Sequence, residues 1–144
     1  MKKIINGKLY NTETAKEVGS WENAGNWRDF NHVEETLYRK KTGEYFLFGE
    51  GGPASKYAEP VESNSWTSGC RIMPMTWEEA RSWAEKHLSV DDYEDVFGAV
   101  AEDDSRITVH MSLSAGAVDT AKRAAAQAGM TLSAYIESLI TKEN

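Results

Sequence analysis

The sequence predicts an α+β protein built in two parts, and three local patterns carry that reading. Asn6-Gly7 separates the short runs Lys3-Ile4-Ile5 and Lys8-Leu9-Tyr10, a strong signal for a two-residue hairpin because both turn positions need positive φ. Thr76 is followed three residues later by Glu79, and then by apolar residues at helical spacing, so the pair reads as a capping box that opens a helix. Arg106 to Leu113 alternates polar and apolar residues without a break, as a half-buried strand does. The first part should therefore hold hairpins plus two helices, and the second a strand followed by two helices.

In chain order, a second hairpin is expected around Lys41-Thr42-Gly43, with arms Val33 to Lys40 and Glu44 to Phe48, the latter rich in strand-favouring aromatics. Gly49 to Ser55 and Glu59 to Gly69 read as loops, and Arg71 to Met75 as a short strand. The helix opened by Thr76 carries Trp77, Ala80, Ala84 and Leu88 on one stripe with Trp83 beside them, which puts Trp77 and Trp83 in the core. Ser89 caps a further helix, Val90 to Phe97, with Asp91 and Asp92 in its first turn and Gly98 as its stop. Trp21, Trp27 and Trp66 fall in or near expected loops, where a tryptophan is either core or an interface anchor.

Composition places the boundary between the parts. All five tryptophans and all four phenylalanines precede Gly98, whereas the stretch after Asp104 is rich in alanine and serine, with Tyr135 its one aromatic. The expected organisation is residues 1–98 as one domain, 99–104 as an acidic linker ending in Glu102-Asp103-Asp104, and 105–144 as a second module. Net charge is −7 overall, but residues 1–101 hold 12 basic against 17 acidic side chains, a balance of −5, while residues 105–144 hold 4 against 3, a balance of +1. An acidic chain binds DNA only where positive charge is local. The single cysteine, Cys70, excludes an intrachain disulfide and fits a reducing compartment. The start, Met1-Lys2-Lys3-Ile4-Ile5, turns polar too soon for a secretion signal, and no apolar run is long enough for a membrane span, so the expectation is a cytoplasmic protein.

In the second module Ile107, Val109, Met111 and Leu113 share one strand face, and Arg106, Thr108, His110 and Ser112 the other. Ser114 caps a helix running to Ala128 and stopped at Gly129, with Val118, Ala121, Ala125 and Ala128 as its buried stripe. Thr131 caps a last helix with the apolar face Leu132, Tyr135, Ile136, Leu139 and Ile140. One strand and two helices in forty residues cannot bury their own apolar faces, and a lone strand has two unpaired edges. Two copies paired antiparallel solve both problems. The expected dimer core is Ile107, Val109, Met111, Leu113, Leu132, Ile136 and Leu139.

Those forty residues, from Arg-Ile-Thr-Val-His-Met-Ser-Leu through Gly-Met-Thr-Leu-Ser-Ala-Tyr-Ile, resemble the ribbon-helix-helix (Arc/MetJ-like) family of DNA-binding proteins. The resemblance implies a homodimer whose two-stranded ribbon enters the major groove of double-stranded DNA. Alignment on Gly129 puts Thr108, His110 and Ser112 at the base-reading positions with Arg106 just outside, and a phosphate at the helix start formed by Thr131, Leu132 and Ser133. The ribbon departs from the family in lacking Arg or Lys among its central readers, so discrimination should be modest, about 1–3 kcal/mol per reader at most. A module that only dimerises the chain is the alternative.

Residues 3–98 carry the runs Lys3 to Ala15 and Leu37 to Leu47, with Gly51-Gly52-Pro53 and Thr76 to Arg81, and resemble small proteins carried by plasmids, phages and integrative elements of Firmicutes. Some members of that pool are similar to anti-CRISPR inhibitors, which implies a host defence nuclease such as a CRISPR effector as a partner. Glu78, Glu85, Asp91, Asp92, Glu94 and Asp95 form a candidate protein-interaction face that could occupy a basic groove; a solvated helix surface is the alternative. His32, His87 and Cys70 show no paired metal-ligand spacing, and Gly49-Glu-Gly-Gly lacks the Lys-Ser/Thr of a phosphate loop. No catalytic residues, metal or cofactor are therefore assigned, and an enzyme is not expected. The leading expectation is a dimeric DNA-binding regulator, an autorepressor with an appended interaction domain. An inhibitor dimerised or autoregulated through its tail ranks second. An antitoxin ranks third, because antitoxins place the DNA module first.

Overall fold

Asn6 and Gly7 both take positive φ, 52° and 77°, and turn β1 (Lys2–Ile5) into β2 (Lys8–Asn11) as the Asn-Gly pair demands. This computed structural model describes residues 1–23 and 28–142 and divides the chain into two units, Met1–Glu102 and Asp103–Asn144. Trp27 lies outside the described residues.

In the first unit, β3 (Lys16–Glu22), β4 (Val33–Arg39) and β5 (Tyr45–Gly51) precede β6 (Glu59–Glu62), β7 (Ser65–Thr67) and β8 (Gly69–Met75). Strands β3-β4-β5-β8 form one antiparallel sheet in that order, and β6 pairs only with β7. Gly43, at φ 92°, makes the β4–β5 turn expected there. Strand β3 is one element the sequence pattern misses. A register shift between Glu17 and Gly19 lets Val18 and Trp21 pack into the same core despite their odd spacing, which defeats a search for strict alternation. The stretch Glu59 to Gly69, expected as a loop, instead contains the β6–β7 hairpin, whose residues are all exposed and so carry no burial pattern. Strand β5 also runs three residues, Gly49 to Gly51, into the expected glycine loop. A Cβ on Gly49 would collide with the Tyr57 ring, so glycine there lets a strand pass directly over a buried tyrosine.

Alternation in β4 and β5 gives the sheet two apolar faces. Leu37, Tyr45 and Leu47 pack against Ala80, Trp83 and Ala84 of α1 (Trp77–His87), with Tyr93, Val96 and Phe97 of α2 (Val90–Phe97) at the margin. On the opposite face Phe46 and Ile72 meet Tyr10 of the first hairpin, and Phe46 stacks on Tyr38 at 5.2 Å and meets Tyr10 edge-on at 5.5 Å. Thr76 Oγ1 accepts from the Glu79 N–H, Ser89 Oγ from the Asp92 N–H, and Gly98 closes α2 at φ 92°. Trp77 corrects an expectation. It is 48% exposed, on the first turn of α1 and short of the buried stripe, where its ring meets Phe97 edge-on and lies under Arg81.

The second unit holds α3 (Ala115–Gln127) and α4 (Leu132–Lys142), capped by Ser114 and Thr131 and joined through Gly129 at φ 68°. Within it Ala125 is the one buried hydrophobic residue among those described; Val118 and Ala121 are half-buried, and Ala128, expected in the stripe, is exposed at the helix end. Residues 106–113 join no ladder in the single chain, so the expected strand is absent from it. The physical reason is direct: a strand is defined by its partner, and this unit offers none. Among the described residues no helix is long and apolar enough to cross a membrane.

Candidate functional site

The segment expected to read DNA is exposed along its whole length. Arg106, Thr108, His110 and Ser112 are all exposed, and so is the apolar row between them, with Ile107 at 48%, Val109 at 67%, Met111 at 65% and Leu113 at 54%. Arg106 reaches Glu137 of α4 at 3.2 Å in an ion pair open to solvent, worth well under about 1 kcal/mol. At the start of α4 the Thr131 hydroxyl accepts from the Ala134 N–H, while Leu132 and Ser133 supply first-turn N–H groups that a helix leaves without intrahelical acceptors. Of the remaining expected dimer core, Leu132 and Ile136 are half-buried and Leu139 is 48% exposed, with Ile140 beside it at 63%.

The acidic residues singled out in the first unit divide by position. Glu78 lies in the first turn of α1, and Asp91 and Asp92 lie in the first turn of α2, where the helix dipole favours negative charge. Glu85 pairs loosely with Arg81 one turn away, at 3.7 Å. Glu94 is half-buried and accepts from the Val100 N–H at 3.5 Å, and Asp95 is exposed. Beside them a shallow groove between the two helices is lined by Ala84, Leu88, Val90, Tyr93 and Val100.

Two groupings in the first unit escaped the sequence reading. Glu35 is 2% exposed beneath the sheet, yet fully bonded: it accepts from Tyr57 Oη at 2.7 Å and from Trp83 Nε1 at 2.7 Å, and pairs with Lys56. Burial pushes its carboxyl up, but the hydrogen bonds from Lys56, Trp83 and Tyr57 and the Lys56 charge outweigh that and hold it below the ordinary value. Burial and the Glu35 carboxylate together raise the Tyr57 phenol far above its usual range, so it stays a donor. A signal existed: Val33, Glu35 and Leu37 share one strand phase, so Glu35 sits on the core face by alternation alone.

On the other face, Glu22, Glu34 and Glu50 stand directly opposite one another across β3, β4 and β5, with Cys70 next in the row. Glu22, Glu34 and His32 bring their ligand atoms within 4.8 Å of each other. The other histidine of the first unit is not near them: His87 lies against Trp21 and Trp83, at 4.3 Å and 5.0 Å between rings, and burial holds its imidazole below its ordinary pKa. Cys70 is exposed. No protein-family model, curated protein or solved structure matches the chain.

Proposed function

We propose that the chain is a homodimeric regulator of double-stranded DNA, an autorepressor of a mobile element, whose first unit is an appended protein-interaction domain. The observation that carries this reading is the row Ile107, Val109, Met111 and Leu113, perfectly alternating and about half or more exposed in a unit with one buried hydrophobic residue. Covering those side chains is worth on the order of 1–2 kcal/mol each, and a second copy laid antiparallel covers them while pairing the backbone. Pairing then turns Arg106, Thr108, His110 and Ser112 outward together, as a ribbon entering the major groove requires. The N–H groups of Leu132 and Ser133 would hold a flanking phosphate.

Local charge fits the same reading: residues 105–144 balance at +1 while residues 1–101 balance at −5, so contact with DNA is confined to the tail and is sensitive to salt. The acidic helix starts of the first unit suit a basic protein surface instead. The test is selection of duplexes from a random pool by the full-length chain, followed by binding of the selected duplex to the Thr108→Ala/His110→Ala double variant. Selectivity should vanish while the dimer persists. Unchanged selectivity would remove the ribbon from the reading role.

A further inference from the structure

We propose that Glu22, His32 and Glu34 form a binding site for a divalent first-row transition cation of the zinc or manganese kind. The sequence hides this site because Glu22 stands on one strand while His32 and Glu34 stand at the start of the next, and strand pairing brings them together. Glu22 of β3 faces Glu34 of β4 in register, and His32 lies just before the start of β4, two residues ahead of Glu34.

Three observations converge on a cation. The first is chemical: one ring nitrogen and two carboxylates, all within 4.8 Å, make a mixed nitrogen and oxygen donor set that suits zinc or manganese. The imidazole distinguishes it from the all-oxygen sets of calcium and magnesium. The second is electrostatic. Like charges directly opposite across strands destabilise a sheet, and here Glu22 faces Glu34 and Glu34 faces Glu50, three carboxylates in one row. A dication between the first two converts that repulsion into attraction. The third is an unmet bond: His32 Nδ1 is the one buried side-chain polar atom without a hydrogen-bond partner among the described residues.

The backbone around the three residues is fixed from both sides, as a ligand set needs. The Asn23 N–H donates to the Val33 carbonyl at 3.0 Å, and the Val33 N–H donates to Asn23 Oδ1 at 3.0 Å, which continues the β3–β4 pairing past Glu22. The Gly52 N–H donates to the His32 carbonyl at 2.9 Å, continuing the β4–β5 pairing, and the His32 N–H donates to the Asp29 carbonyl at 3.0 Å. These bonds fix the backbone that carries the three side chains.

The experiment titrates the full-length chain with zinc chloride and manganese chloride by calorimetry, alongside Glu34→Gln and His32→Gln. The expected result is one saturable site per chain, a wild-type melting temperature raised by the metal, and affinity at least tenfold lower in both variants. In the wild type, substoichiometric manganese should broaden the His32 imidazole signals before those of His87 and His110, and this readout decides the matter even if a variant fails to fold. No saturable binding, equal affinity in folded variants, or broadening centred on His87 or His110 would overturn the proposal.

Discussion

The two units of this chain use the same local grammar and reach opposite ends. Thr76 and Ser89 in the first unit and Ser114 and Thr131 in the second all cap helices through a side-chain oxygen on a first-turn N–H. Yet the first unit buries Leu37 and Phe46 completely on opposite faces of one sheet, while the second buries Ala125 and leaves Val109 and Met111 about two-thirds exposed. Caps and periodicity thus settle where helices begin and which faces are apolar. They do not settle what covers those faces. In the first unit the chain itself supplies the cover; in the second the apolar row stays open, and the proposed cover is another copy.

The largest effect expected from this contrast is in the sheet. Phe46→Ala removes the ring shared by Tyr10 and Tyr38, and should cost about 3–5 kcal/mol, a loss seen in chemical denaturation and independent of protein concentration. Next comes Glu35→Ala, which strands the Trp83 N–H and the Tyr57 hydroxyl in the interior, and should cost about 3 kcal/mol. A result below about 1 kcal/mol for Glu35→Ala would mean that the network is not structural. By contrast, Val109→Glu in the second unit should leave the denaturation of the first unit unchanged and abolish self-association.

The smallest expected effect is the response to acid. Glu35 is held below its ordinary value of 4.5 by the bonds that overcome its burial, and Glu44 is held at about 2 by hydrogen bonds from Lys8 and Lys40. Both folded-state values lie below the unfolded ones, so each group contributes stability that is fully present above about pH 4.5 and fades as the pH falls through its folded value. The loss should appear in the first unit. Melting curves between pH 6 and about pH 2 would check this, and Glu35→Gln should flatten the slope.

Much of the architecture was legible in the residues. Asn6-Gly7, the aromatic arms around Gly43, both caps of the first unit and the Gly98 and Gly129 stops lie where local chemistry puts them. What escaped did so for physical reasons. A bulge in β3 broke the alternation that would have revealed Val18 and Trp21 as one face, and the β6–β7 hairpin buries nothing and so leaves no pattern. Glu35 was passed over because a carboxylate reads as a surface residue until Trp83, Tyr57 and Lys56, distant in sequence, are seen to converge on it. Glu22 and His32 stand ten positions apart, and only strand register brings them together. The tail is the reverse case: its strand was read from strict alternation, and a single chain cannot form it alone.

The central claim is that residues 106–113 are completed by a second copy, and analytical ultracentrifugation of the full-length chain across the micromolar range tests it most directly. A species of twice the 16.1 kDa chain mass is expected, which Val109→Glu reduces to one chain. A wild-type protein that sediments at 16.1 kDa throughout would contradict it.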